Sequence, residues 1–534
     1  MGFLGILEDN KLAHVPATVI LDDVDNQTTS TIEAAQVRGR KHGTGKDSHI
    51  ILVPQPSDDP NDPLNWPMTK KITITLILCF GGCLFASVIS GLLNAGLFVI
   101  ATDYKRPIED LVLLSGYQLL VAGSTGTFVT AFSKKYDKRP VFLISSILGV
   151  VGSLVGSLMN NYQDIYFVHQ RGFFMSMTQF VLGCVSNFVG IVCGPITTNL
   201  GWRYLFHLCV LFCGLQTVLL YLFCPESQYN RSAIYNTDEV GDQDLEAIEK
   251  LAHETAHVEG ATTAGPGKPT TTSVRPIPTK KTFVQELAIF TGVYTEENLL
   301  QLIVAPFVVC TNLAVLWVVV VTGTMTATYV AQAIVLAQIF SPPPYLLSAT
   351  GVGNLFLGPF AGGVIATVVL ALIYDPIIRT CARKNNGVYE PEYRLVIIVF
   401  GLVGGAGMMG WGILCENHAT VYATAALHGL VLFGIMFVVI AASAYGLDAY
   451  RDISSDIFVA GIIYKNFLFY GFSNFVSSWV ASVGPSQVFY VLGGLNLAMV
   501  CLTPLIFVFG KRYRSFWARH NVLEKLHLKG HPEL

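Results

Sequence analysis

Residues 157–176 read SLMNNYQDIYFVHQRGFFMS, and the number of membrane crossings in the first half of the chain turns on this stretch. It joins one apolar segment, ending near Met159, to another that begins near Phe173 through about a dozen polar residues. Its basic and histidine-bearing part, Phe167-Val-His-Gln-Arg-Gly172, resembles a loop at the basic boundary of a membrane. Counting spans on either side puts it on the opposite face.

The count rests on composition. The chain has 534 residues, 52% hydrophobic and 13% charged, with mean hydropathy +0.53. That much apolar surface cannot be hidden inside a soluble domain, and a hydrocarbon core takes about 20 apolar residues per helical span. Runs of that length start with Ile72 to Ala101, Leu111 to Phe132, Pro140 to Met159, Phe173 to Thr197 and Tyr204 to Phe223. They continue with Leu302 to Gly323, Tyr345 to Tyr374, Leu395 to Leu414, Val421 to Gly446, Ile457 to Ser482 and Val488 to Gly510. The expected fold is an all-α polytopic membrane protein of about eleven helices, five in a first bundle (72–224) and six in a second (302–510). The opening segment 1–71 is polar and lacks the short apolar core of a signal peptide, so it is expected in the cytoplasm, as is the tail 511–534. Residues 225–301 are polar and acidic, centred on Gly265-Pro-Gly-Lys-Pro-Thr-Thr-Thr-Ser273, and read as a flexible linker.

Basic loops mark the cytoplasmic face. Lys134-Lys135-Tyr136-Asp137-Lys138-Arg139 separates the second and third runs, and Arg379 to Lys384 separates the corresponding pair in the second half. This recurrence is the weak internal repeat of a transporter made of two related bundles. With the amino terminus inside, Lys134 to Arg139 falls inside. After the third run the parity fails: His169-Gln-Arg171, the linker, Arg379 to Lys384 and Lys511-Arg-Tyr-Arg514 all come out external. One helix missing near residue 160 would correct all of them. A crossing by Met325 to Ser341 would correct only the second half, and that segment reads better as an extension of the preceding helix or as interfacial, because Pro342 to Pro344 end it.

Several motifs carry a family resemblance. Asp62-Pro-Leu-Asn-Trp-Pro67, Arg171-Gly172, Gly201-Trp-Arg203, Cys224-Pro-Glu-Ser-Gln-Tyr229, Pro343-Pro-Tyr345 and Asn386-Gly-Val-Tyr-Glu-Pro-Glu-Tyr-Arg394 resemble fungal major facilitator superfamily transporters. The opening Gly5-Ile-Leu-Glu-Asp-Asn-Lys-Leu-Ala-His14-Val-Pro-Ala-Thr18 is similar to the branch of organic-cation and histidinol permeases and metabolite efflux pumps. The resemblance implies two six-helix bundles around a central cavity, alternating access and proton coupling. In that pattern a fourth helix precedes the Asp-x-x-Phe-x-His-x-Arg-Gly turn, whereas here Asn160-Asn-Tyr-Gln163 passes directly to Asp164. A segment of some thirty residues is absent, as an exon lost from the gene model or transcript would leave it. Lys134 stands where the family has Asp, and Asp137 where it has Gly. Gly190-Ile-Val-Cys-Gly194-Pro195 loosely resembles the Gly-Pro motif of exporters.

Charged groups inside a span are costly and mark functional candidates. Lys465, His428 and His207 lie within runs, and Asp448 lies at a cytoplasmic end, where it reads as part of a salt-bridge lock. Polar stripes at helical spacing supply cavity candidates: Asn466, Tyr470, Ser473 and Ser477; Ser87, Ser90 and Asn94; and Gln179 with Ser176, Gly183 and Ser186. The bland alternative for each is interhelical hydrogen bonding. Candidate conformational-switch residues are Lys135, Lys138 and Arg139, and in the second half Asp375, Arg379 and Arg383.

No Walker motif is present, and the 11 cysteines hold no CxxC or metal-ligand spacing, so an enzyme, a metal and a cofactor are not expected. The net charge of −3 argues against nucleic acid. The expected partners are a small organic substrate, protons and the lipid bilayer, with the chain a monomer in the plasma membrane. Efflux of a secondary metabolite or toxic compound leads. Uptake of an organic cation, a non-transporting sensor and an inactive truncated isoform stay open.

Overall fold

Polar residues set the helix ends. The computed structural model describes residues 3–8, 15–20, 59–82, 98–99, 101–102, 105, 107–136, 138–152, 186–201, 203–227, 280–290, 292, 298–385, 388–450 and 453–520. In the first half β1 (Val19–Ile20) precedes α1 (Met68–Gly82), α2 (Ile108–Lys135), α3 (Lys138–Gly152), α4 (Ser186–Asn199) and α5 (Arg203–Phe223). The Asp62-Pro-Leu-Asn motif folds into a short 3₁₀ turn: the Asp62 carboxylate accepts from the Leu64 N–H at 3.0 Å. The late linker contributes the one-turn helix α6 (Phe283–Glu286), closed by a Thr282–Gln285 capping box. This end of the linker is therefore structured, unlike the flexible chain expected of 225–301.

The second half starts with α7 (Leu299–Val308) and α8 (Leu313–Phe340). The expected single run Leu302 to Gly323 is broken because Asn312 caps a new helix, its carboxamide oxygen accepting from Ala314 N–H at 3.0 Å and Val315 N–H at 3.3 Å. Met325 to Phe340 is accordingly the continuation of α8, and Pro342 to Pro344 follow its end. The chain goes on through α9 (Ala349–Leu355), α10 (Leu357–Lys384), β2 (Val388–Tyr389), a 3₁₀ stretch Pro391–Phe400, α11 (Gly401–Glu416), α12 (Val421–Ala449), α13 (Ser454–Val483) and α14 (Pro485–Arg519). Gly484, at φ +87°, makes the left-handed turn between α13 and α14, and Pro485 opens the next helix. Among the described residues five stretches are long and apolar enough to cross a membrane: Leu313–Phe340, Ala349–Lys384, Pro391–Glu416, Val421–Ala449 and Pro485–Arg519.

Within the second bundle α10 packs on α12, α12 on α11 and α11 on α14, while α8 packs on α12 and α13. In the first, α3 and α1 pack on α5. Between the bundles α2 packs on α13 and α7, and α4 on α9 and α10.

Helix directions follow from contacts at the ends. Lys134, closing α2, pairs with Asp456, opening α13. Asp448, at the end of α12, pairs with Arg394, and Arg514 of α14 pairs with Glu392. The basic ends of both halves thus share one face. Arg139 starts α3 on that face, so α3 runs away from it. Thr198, at the end of α4, shares a hydrogen bond with Thr350 at the start of α9, 2.9 Å apart. Since α8 leaves the basic face at Leu313, whose N–H donates to Tyr513 Oη at 2.8 Å, α9 begins at the far face. Consequently α4 also ends at the far face. Two successive described helices run the same way, and one crossing is owed between Gly152 and Ser186, where the sequence places the missing helix. Residues 153–185 themselves lie outside the described residues.

Candidate functional site

The seams between the bundles bring the polar residues together. At the α4–α9 seam, a Cβ on Gly353 would lie 2.7 Å from the Gly190 carbonyl oxygen, so the backbones touch only because the residue is glycine. The exporter-like Gly190 and Gly194 therefore serve close helix packing here. Nearby, the Tyr329 hydroxyl of α8 donates to Asn187 Oδ1 of α4 at 2.6 Å, a second link across the seam.

At the α2–α13 seam the stripe foreseen on α13 lies against α2. Asn466 faces Gly123, whose added Cβ would meet the Asn466 Cβ at 3.0 Å, Ser473 covers Gly116, and the rings of Tyr470 and Tyr117 stand 5.5 Å apart. Ser477 lies further along, its backbone carbonyl accepting from Gln338 Nε2 of α8 at 3.0 Å. Asn466, Ser473 and Ser477 are buried, and Asn466 Nδ2 and Ser477 Oγ find no partner among the described residues. Ser87, Ser90, Asn94 and Gln179 lie outside the described residues.

His428 of α12 is fully buried, and neither ring nitrogen has a hydrogen-bond partner among the described residues. Rings surround it: Tyr329 at 5.4 Å, Trp411 at 6.2 Å and Phe356 at 6.3 Å between centroids. One turn beyond Tyr329 on α8, Gln332 is also fully buried, and neither its carboxamide atoms nor the Trp411 indole N–H has a partner among the described residues. A buried polar group without a partner costs about 1–3 kcal/mol. Several in one region mark a place where a polar ligand or water completes the bonding. Sequence reading found His428 because a histidine in an apolar run stands out; it passed over Gln332 and Trp411, which look like ordinary span residues.

The basic face carries the charged constellations. Lys134 and Asp456 pair at 2.9 Å with side chains 12% and 7% exposed, joining the bundles. Arg139 is buried beneath the end of the linker: its guanidinium donates to the carbonyls of Glu286, of Ala288 at 3.1 Å and of Tyr221 at 2.7 Å, and its N–H donates to Glu226 at 2.8 Å. Burial lowers the Arg139 pKa, opposed by the Tyr221 and Glu226 charges. Lys138 is buried too, and Lys70 holds Glu286 at 2.9 Å. Asp375, Arg379 and Arg383 are exposed on α10, so the second half does not repeat this buried arrangement. Asp448 instead joins Arg394 and the Tyr389 hydroxyl within its own bundle, and burial holds the Tyr389 phenol well above its ordinary range. Among the described residues no cluster of three His, Cys, Asp or Glu could hold a metal ion.

A family profile described as Major Facilitator Superfamily matches residues 163–450. The chain belongs to this superfamily. Protein HOL1 of Saccharomyces cerevisiae is 20% identical over 97% of this chain and 98% of its own length. An uncharacterized MFS-type transporter of Schizosaccharomyces pombe is 22% identical over 89% and 90%, and the efflux pump radE of Floropilus chiversii is 22% identical over 88% and 86%. The proton:xylose symporter XylE superposes with a TM-score of 0.50 at 14% identity, over 85% of this chain and all of its own, a likeness of fold. The chain is thus a multi-pass membrane transporter of fungal type and not an enzyme, and its substrates are small molecules.

Proposed function

We propose that the chain, once completed by its fourth helix, moves a small organic molecule by alternating access, the bundles parting along the α2–α13 and α4–α9 seams. The observation that carries this reading is the set of buried polar groups beside those seams that find no partner among the described residues: His428, Gln332, Trp411 and Asn466. Hydrogen bonds to a substrate would satisfy them, and the rings around His428 suit a planar or apolar body. Ser87, Ser90, Asn94, Gln179, Tyr470, Ser473 and Ser477 complete the proposed lining. Lys135, Lys138 and Arg139, with Asp375, Arg379 and Arg383 opposite, are the proposed switch regions.

Across the eleven apolar runs Lys465 is the one Asp, Glu, Lys or Arg. It lies nine residues past Asp456 on α13, about 13 Å along the axis at 1.5 Å per residue, beyond the reach of a lysine stem toward the basic face. A midplane with one cation and no acid favours a neutral or anionic substrate over an organic cation. Together with a relative named as an efflux pump, this supports export of a metabolite or toxic compound; proton coupling, the plasma membrane and a monomeric state complete the proposal.

Counterflow in proteoliposomes of the form carrying a fourth helix tests transport. Cysteine at Asn466 or Ser473 should react with small hydrophilic thiol reagents only when the seam opens, with substrate altering the rate, whereas cysteine at Leu468 stays silent. Equal labelling at all three positions removes the assignment.

A second reading concerns the chain as it stands. The parallel run of α3 and α4 supports the loss of the fourth helix. The alignment with HOL1 runs over 591 positions, more than the 534 residues of this chain, so the relative carries segments absent here, enough in total to include one helix. An intron flanked by an in-frame apolar segment should lie near the codon for Gln163, and genomic DNA continuous through Gln163-Asp164 would remove this reading.

A further inference from the structure

The amino-terminal segment belongs by sequence to the first bundle but is seated on the second. Ile6 is buried at 2% exposure in the main hydrophobic core. The Leu7 N–H donates to the Val508 carbonyl of α14 at 3.0 Å. Glu8 takes Lys511 Nζ at 2.6 Å through its carboxylate and Arg512 Nε at 3.0 Å through its carbonyl. Further on, the Pro16 carbonyl accepts from Arg514, the Thr18 hydroxyl donates to Glu390 Oε2 at 3.0 Å, and β1 pairs antiparallel with β2, Val19 opposite Tyr389 and Ile20 opposite Val388.

These contacts converge on a buried charge cluster. Glu390 binds Lys511 and Arg514, each at 2.7 Å, and Arg514 also holds Glu392 at 2.9 Å. The segment therefore joins the end of α14 to the loop between α10 and α11. From that loop the connection goes on, because Tyr389 of β2 bonds Asp448 at the end of α12. A short turn separates Asp448 from α13, whose Asp456 holds Lys134 of the other bundle.

We propose that residues 3–8 and 15–20 form a strap whose seating keeps the basic face closed. Seated, it fixes the α10–α11 loop against α14 and, through Tyr389 and Asp448, the start of α13 where Asp456 meets Lys134. Released, it frees these ends and the bundles part on that face. The strap lies outside the helices it restrains, so it can leave without unfolding them, and leaving strips Glu390, Lys511 and Arg514 of partners they need when buried. The inference rests on the alternating-access reading, yet its test does not require transport.

The test uses the full chain in membranes with Val459→Cys as reporter. Val459 is buried on the α13 face that carries Asn466 and Ser473, one and two heptads nearer the basic face. Ile6→Asp and Glu8→Lys alter only the strap. Hydrogen exchange at the Leu7 amide should rise in both variants, and thiol labelling at position 459 on the order of tenfold in Ile6→Asp, since burial of an isoleucine side chain is worth more than one decade of equilibrium. Ile20→Cys with Val388→Cys, a directly opposed pair at disulfide distance in an antiparallel ladder, should pin the strap and suppress labelling until reduced. Rapid exchange at Leu7 in the unaltered chain would show that the strap is not seated. Released exchange with unchanged labelling, or labelling indifferent to the disulfide, would show that it restrains nothing. Either result overturns the proposal while leaving the transport reading intact; responsive labelling with no counterflow from the form carrying a fourth helix does the reverse.

Discussion

Lys134 stands where the family resemblance implies an acid, and the structure gives it Asp456 as a partner. The sequence exposed the departure but not its resolution, because the two residues are far apart in the chain and Asp456 reads as an ordinary acidic first turn of a helix. Their exchange, Lys134→Asp with Asp456→Lys, should restore what either single reversal loses. A double-mutant cycle on thermal stability should give a coupling of about 0.5–3 kcal/mol, and additive effects would show that the pair joins nothing. His428 makes a different prediction. Its ring forms no hydrogen bond among the described residues, so His428→Phe should leave thermal stability within about 1.5 kcal/mol, as volume-conserving swaps do, while abolishing substrate-dependent counterflow. A large loss of stability with transport kept would make the histidine a packing residue.

Helices were the most legible features. Long apolar runs give spans directly, and α12 and α14 lie close to where hydropathy puts them. What hydropathy could not see was the break at Asn312, since a capping side chain changes the backbone without interrupting an apolar run. Nor could periodicity separate a cavity stripe from a packing seam: Asn466, Tyr470 and Ser473 fall on one face either way, and only the position of α2 shows what they touch. The seams are specific enough to test. Gly353→Val should destabilise the α4–α9 contact by about 1–3 kcal/mol through overpacking, read as a lower melting temperature and loss of the Tyr329–Asn187 link. An unchanged melting temperature would mean that this seam is not closed in the protein as it exists.

At the scale of the whole molecule, loop charge and helix direction meet at one point. The positive loops require both halves to share a face, and the ion pairs from Lys134 through Asp448 to Arg514 place them there. With α3 and α4 running the same way, one crossing is owed between Gly152 and Ser186, and on the proposed loss of the fourth helix the bundle lacks a wall of its cavity. The basic ends can share a face without that crossing only if some span fails to insert. The decisive comparison expresses the 534-residue chain beside a form with an apolar segment of about 20–30 residues between Gln163 and Asp164, long enough to span. Surface delivery and counterflow are then measured for both. The account predicts that the longer form reaches the plasma membrane and transports while the shorter is retained and inactive; equal transport by the two would contradict it.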